Sequence, residues 1–250
     1  MITLKSPQEI ERMRKSGAIV AQILHEMAEL VVPGVTTYDI DRLAESRCKE
    51  LGAVPAFKGY HGFPACVCVS INDEVVHGIP SKKRVLKEGD IIGIDFGVHV
   101  DGWFGDSART VPVGKISPEA RRLMDATQKS LELGIAQARE GNRIFDIGHA
   151  IQNYVEGFGY GVVREFVGHG IGRALHEEPQ VPNYGPRGKG LALKAGMVLA
   201  IEPMINAGSP EVKVLADGWT AVTRDRSLSA HFEHTVAILP EGPTILTALV

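Results

Sequence analysis

The chain has 250 residues, 44% of them apolar, and a formal net charge of −3 with Lys and Arg spread along it. That supports one or two ordinary domains with a sizeable core, and the lack of a basic patch or tail argues against a nucleic-acid partner. No apolar run reaches the roughly 20 residues of a membrane span, the N-terminal stretch has no apolar signal core, and Cys48, Cys66 and Cys68 make neither a disulfide framework nor, alone, a zinc site; the expected location is the cytoplasm.

Ser6-Pro7 followed by Glu9 reads as a helix cap with proline in the first turn. Ile10, Met13, Ile19, Ile23 and Met27 recur near helical spacing, so the helix is predicted to run to about Val32, where Pro33-Gly34 stops it. Thr36 or Thr37 caps a second helix that carries Ile40, Leu43, Ala44 and Cys48 and ends at Leu51-Gly52. Val67 to Ile71 reads as a strand. Leu86-Lys87-Glu88-Gly89 then introduces an apolar strand from Ile91 to Phe96, which carries Asp95. Asp101-Gly102 is a strong turn signal, and a reversal between Val100 and Asp101 sets Asp106 directly across from Asp95.

This order recurs. Ser117-Pro118-Glu119 opens a long helix. A second helix follows with Phe145, Ile147, Ile151 and Tyr154, and Leu193-Lys194-Ala195-Gly196 introduces a strand that reaches Glu202. Gly34 and Gly141, Asp39 and Asp146, Gly52 and Gly159, Gly89 and Gly196, and Asp95 and Glu202 are each 107 positions apart. Two structural repeats are expected, roughly residues 1–115 and 116–250, whose amphipathic sheets bury one another with helices outside. A further strand, His231 to Leu239, places His231, Glu233 and Thr235 on one face and Phe232, His234, Val236 and Ile238 on the other. Glu233 is then the counterpart of Asp106.

Asp95 follows Ile91-Ile92-Gly93-Ile94, a poor place for a solvated acid, so a buried acid pair compensated by a cation is expected there. His169 sits between glycines, which lets backbone approach a ligand closely. Asp95, Asp106, Glu202 and Glu233 together carry four negative charges, and a neutral His169 adds none. One divalent cation would leave a large buried charge, whereas two leave almost none. Oxygen-rich ligation favours manganese, iron or cobalt, with zinc still open.

The ordered set Asp95, Asp106, His169, Glu202 and Glu233 comes with His77-Gly78-Ile79-Pro80, Gly168-His169-Gly170-Ile171-Gly172-Arg173, Glu202-Pro203 and Glu233-His234-Thr235. These motifs resemble type I methionine aminopeptidases of the minimal bacterial form, and the resemblance covers essentially the whole chain. It implies an α+β pita-bread fold of two pseudo-symmetric halves, with antiparallel sheets inside and helices outside, forming a single catalytic domain over 1–250. It implies two divalent cations (Co, Mn, Fe or Zn), with Asp95 on one, His169 and Glu202 on the other, and Asp106 and Glu233 bridging. Glu202 would act as general base or proton shuttle. His176 would stabilise the oxygen that becomes negative, and His77 would hold the amide next to the scissile bond. Tyr60, His61, Phe63, Cys68, Leu175 and Trp219 would form the pocket for the methionine side chain.

The implied activity is removal of N-terminal methionine from nascent proteins and peptides when the second residue is small, by metal-activated water attack on the first peptide bond. Met-initiated nascent chains, and with them the ribosome, are the implied partners of a monomer. The alternative is an X-Pro aminopeptidase or prolidase-like enzyme, which shares the five ligands but usually carries a large extra N-terminal domain. Three positions depart from the family pattern: Phe57 stands where relatives often have cysteine, Leu175 where they often have an aromatic, and His231 where glutamine is expected.

Overall fold

The computed structural model describes residues 2–249, so Met1 and Val250, the ends of the expected domain, lie outside the described residues. Four helices form where caps and apolar spacing predict them: α1 (Pro7–Glu29), α2 (Thr37–Glu50), α3 (Pro118–Gln137) and α4 (Ile144–Glu156). At the start of α1, Ser6 Oγ accepts the Glu9 N–H at 3.3 Å and the Glu9 carboxylate accepts the Ser6 N–H at 2.9 Å. This reciprocal cap satisfies two donors that the first helical turn would otherwise leave unpaired.

Residues 107 positions apart do equivalent work. Thr36 bridges Val85 in the first half, and Arg143 bridges Ala192 in the second. Asp39 and Asp146 each accept the N-cap N–H of their helix. Gly34 and Gly141 adopt φ of 95° and 91°, and Gly89 and Gly196 φ of 94° and 91°, a region that penalises any side chain.

In the first half, strand Ile91–Val100 pairs with Cys68–Ile71, Val54–Pro55 and Trp103–Pro112. Val20, Ile23 and Met27 of α1 and Ile40 and Ala44 of α2 bury against its Ile92, Ile94 and Phe96. The second half has the strand order Gly242–Ile245, His234–Leu239, Val198–Ile201, Gly168–Gly170, Glu177–Val181. Leu123 and Leu131 of α3 and Ile147 and Ile151 of α4 cover Leu199, Ile201 and Val236. Two pseudo-symmetric halves with antiparallel sheets inside and helices outside make this the pita-bread fold.

The first hairpin turns one residue later than the sequence predicts. Val100 pairs with Trp103, and Asp101 and Gly102 (φ 51° and 84°) form a two-residue turn whose left-handed backbone matches the strand twist. Asp95 therefore faces Ala108, and Asp106 faces Gly97. The acids are diagonal neighbours rather than opposite ones, yet the two-residue side-chain period keeps both on one face. Gly97 makes room for the pair, since a Cβ there would lie 3.2 Å from Asp106 Oδ1.

The predicted strand from His231 to Leu239 is also interrupted. Ser229–His231 pairs with Met204–Asn206, and His234–Leu239 pairs with Val198–Ile201. The register continues across the gap, with Ile201 opposite His234 and Met204 opposite His231, so Glu202-Pro203 and Phe232-Glu233 lie across from each other. Pro203 offers no N–H to the ladder, and the Glu233 N–H turns instead to the Ala108 carbonyl at 2.8 Å.

Glycine also sets how closely α1 approaches the sheet. A Cβ on Gly17 would lie 2.2 Å from the Leu246 carbonyl oxygen, and one on Gly105 would lie 3.0 Å from Gly17 N. Gly17→Ala is expected to destabilise the fold by about 1–3 kcal/mol through overpacking, read as a lower denaturant midpoint at unchanged slope.

Candidate metal centre

The two halves are stitched together at the acids. Ser107 Oγ donates to the Glu233 carbonyl at 2.6 Å, and Thr110 Oγ1 donates to the His231 carbonyl at 2.9 Å. Thr235 Oγ1 donates to the Asp106 carbonyl at 2.7 Å and accepts the Asp106 N–H at 3.1 Å. These bonds fix Asp106 of the first half beside Glu233 of the second. One ligand atom each from Asp106, His169 and Glu233 lies within 4.8 Å of the others. Glu202 adjoins this trio, with Oε1 3.5 Å from His169 Nε2. Asp95 lines the same cleft, on the sheet face of Asp106.

Burial gives these groups unusual acidities. It pushes the Asp95 carboxyl up to about 7, with the Glu202 charge adding to the rise and His231 opposing it. It pushes Glu202 up to about 8, although 14% of that side chain remains exposed through the cleft. Asp106 and Glu233 are raised well above the carboxylate range, by burial first and by the neighbouring acids second. His169 is held neutral, lowered to about 3 by burial and then by His176. Its Nδ1–H donates to the Gly170 carbonyl at 2.9 Å, which leaves the Nε2 lone pair free to ligate.

Asp95 Oδ1, Asp106 Oδ1 and Glu233 Oε1 are buried with no hydrogen-bond partner among the described residues. Buried carboxylates without donors are costly. An acceptor-only set of four carboxylates and one lone-pair imidazole fits divalent cations and little else. The glycines around His169 do something other than expected. A Cβ at Gly168 or Gly170 would lie 2.3 Å from the Ala200 or Glu178 carbonyl oxygen, so their absence of bulk admits the flanking strands rather than a ligand.

A cleft of about 510 Å³ opens from the acids, and it is lined by Tyr60, His61, Phe63, Cys68, His77, Leu175, His176 and Trp219. Phe63 and Trp219 meet edge to face with centroids 5.1 Å apart. Tyr60 Oη and His176 Nδ1 are 2.7 Å apart, and burial lowers the His176 pKa. With the tyrosine hydroxyl donating, His176 presents Nε2–H as a donor. His77, at φ 61°, is likewise kept neutral, lowered to about 4 by burial.

Sequence reasoning missed Phe166, Val167, Val76 and Met204, which also line the cleft. Phe166 stands edge-on to His77, with centroids 5.3 Å apart. Each of these residues lies just outside a motif, Val76 before His77, Phe166 and Val167 before Gly168 and Met204 after Pro203, where nothing in the motif itself marks a neighbour as cleft-lining. His231, expected on the Glu233 face and noted as a departure but given no role, lies against the acid cluster: its buried Nε2 has no hydrogen-bond partner among the described residues and is 3.6 Å from Glu202 Oε2.

A buried acid and histidine cluster in a pita-bread cleft defines a metallopeptidase, and the pattern of metallopeptidase family M24 matches residues 11–240. The chain is 56% identical to methionine aminopeptidase of Clostridium acetobutylicum, with 99% of each chain covered. It is 54% identical to methionine aminopeptidase 1 of Bacillus subtilis, again over 99% of each. The crystal structure of methionine aminopeptidase from Thermotoga maritima superposes with a TM-score of 0.98 at 48% identity, covering 99% of this chain and 100% of that one. The prolidase of Pyrococcus horikoshii shares the fold at a TM-score of 0.79 and 23% identity, but this chain covers only 64% of it. The chain belongs to the methionine aminopeptidases of metallopeptidase family M24.

Proposed function

We propose that this chain removes the initiating methionine from peptides and nascent proteins whose second residue is small. The observation that carries this reading is the junction of the five-residue acid and histidine cluster with one cleft walled by Phe63, Cys68, Leu175 and Trp219. Asp95 would hold one divalent cation, His169 and Glu202 a second, and Asp106 and Glu233 both. Two such ions supply Lewis acidity and a nucleophilic water at neutral pH.

The remaining work falls to the chain's own groups. Glu202 takes a proton from the attacking water and passes it to the leaving amine. His176 Nε2–H donates to the carbonyl oxygen as it gains charge. His77 orients the amide beyond the scissile bond, with Phe166 fixing its ring edge-on. Tyr60, His61, Phe63, Cys68, Leu175 and Trp219 take the methionine side chain. We read the chain as a single-domain monomer over 1–250 that acts on nascent chains at the ribosome in the cytoplasm; the full-length match to methionine aminopeptidases supports the activity itself. The prolidase-like alternative has fold likeness alone behind it.

Turnover of a Met-Ala-Ser peptide is expected to vanish on chelation with EDTA and return on adding Mn, Fe, Co or Zn ions. An X-Pro peptide should remain uncut. Preferential X-Pro cleavage, or full activity after exhaustive chelation, would overturn the reading.

A further inference from the structure

Away from the acid cluster, a lysine and a carboxylate are buried together. Lys5 Nζ lies 2.6 Å from Glu177 Oε2, with 3% of the lysine and 18% of the glutamate side chain exposed. Two charges withdrawn from water persist only where geometry and further hydrogen bonds satisfy them. Glu177 Oε1 accepts the backbone N–H groups of Arg173 at 2.7 Å and Ala174 at 3.1 Å. Lys5 Nζ also donates to the Thr3 carbonyl at 3.3 Å, and the Lys5 N–H donates to the Gly196 carbonyl at 2.7 Å. The lysine stem runs over Gly172, where a Cβ would lie 2.5 Å from Lys5 Cε and 2.7 Å from Glu177 Oε1. The N-terminal segment is thus pinned both to the turn at Gly196 and to the loop after Ile171.

That loop carries Leu175 and His176 into the cleft. Its outer side is held through Arg173, whose guanidinium sits 4.2 Å over the Trp103 ring and 3.6 Å from Glu9 of α1. Its inner side has Glu177 as the acceptor for two consecutive N–H groups. We propose that Lys5 and Glu177 are positioning residues for His176: the ion pair holds the Arg173–Ala174 backbone in the turn that presents Leu175 and His176 to substrate. Substrate capture then depends on a residue near the start of the chain that never enters the cleft. The inference rests on the substrate role given to His176 above.

Without the ammonium, the Glu177 carboxylate is left buried and uncompensated, so it protonates or turns toward water. Either change weakens its hold on the two N–H groups and loosens the Tyr60–His176 bond. Charge loss and acceptor loss can be separated with two charge-free pairs. Lys5→Met with Glu177→Gln keeps a carbonyl acceptor for the loop. Lys5→Met with Glu177→Leu removes it, and an apolar replacement of a buried ion pair is often neutral for folding.

The test compares these proteins with the parent by amide hydrogen exchange across residues 171–178, by kcat and KM on a Met-Ala-Ser peptide, and by bound metal. The Gln pair is expected to match the parent in exchange, whereas Lys5→Met alone is expected to exchange faster across 171–178, because its Glu177 charge is left without a counter-ion; parent-like exchange in that single variant would remove Lys5 from the clamp. The Leu pair is expected to exchange faster in that segment and to lose roughly 10- to 100-fold in kcat/KM at equal metal content, as a misplaced donor would. Parent-like exchange and kcat/KM in the folded Leu pair would overturn the proposal. Faster exchange with unchanged kcat/KM would equally overturn it. A parent inactive on Met peptides would instead count against the substrate reading, while exchange would still report on the clamp.

Discussion

The Glu202→Gln protein is expected to lose roughly 10²- to 10⁴-fold in kcat on a Met-Ala-Ser peptide while KM changes little. Gln has the shape of Glu, and both imidazoles beside the side chain are neutral: His169 Nε2 is 3.5 Å from Oε1, and His231 Nε2 is 3.6 Å from Oε2. A carboxamide can occupy that slot, but it cannot accept and return a proton. The apolar wall of Phe63, Leu175 and Trp219 is untouched, so methionine binding should persist. Steady-state kinetics on protein of verified metal content decide the matter. Parent-like kcat at equal metal occupancy would remove Glu202 from proton transfer.

The second large effect is on stability, and its sign follows from burial. In metal-free protein, Asp95 titrates at about 7 rather than 3.8 and Glu202 at about 8 rather than 4.5. The folded state therefore keeps protons that the unfolded chain has released, and stability falls as pH rises through this range. The histidines act oppositely: His169 and His77, lowered to about 3 and about 4, cost stability as pH falls below 6.5. His176, His231 and His234 are lowered as well, and the unfolded chain discharges its histidines only above about pH 7.5, so above that point the carboxyls dominate. Metal-free protein is expected to lose about 1 kcal/mol or more between about pH 7.5 and pH 9. Saturating Mn²⁺ should reverse the trend, because cations displace those protons and bind more tightly as pH rises. Scanning calorimetry with and without chelator across this window measures both. A metal-free Tm that climbs from about pH 7.5 to pH 9 would mean the acids are not buried together.

Much of this architecture was legible in the chain. Caps such as Ser6-Pro7-Glu9 and the spacing of Ile10, Met13 and Ile23 are local signals, and α1 forms where they predict it. The equivalences at an offset of 107 survive as matched bridges and matched left-handed glycines, because turn geometry tolerates few residue types. Every pocket residue implied by the family resemblance lines the cleft. Register was less legible. A one-residue error in the Asp101-Gly102 turn moved Asp106 from opposite Asp95 to opposite Gly97, and nothing local announces which residue closes a hairpin. The break at Phe232-Glu233 escaped for a similar reason, since the Glu233 N–H is taken by Ala108, more than a hundred residues earlier.

By itself the sequence determined the four helices, through caps and short-range spacing, and the doubled plan, through the offset of 107; the five candidate ligands came from the poor fit of Asp95 in an apolar run, from the repeat and from the family motifs. Tertiary structure alone decided that Ser107 and Thr235 lock Asp106 beside Glu233, that His231 faces Glu202, that Phe166 edges His77, and that Lys5 reaches Glu177. Those contacts depend on how two independently patterned halves dock. Docking is governed by hydrogen bonds and close packing between distant residues, such as Thr235 with Asp106 and Gly17 with Leu246, which leave no periodic trace along the chain.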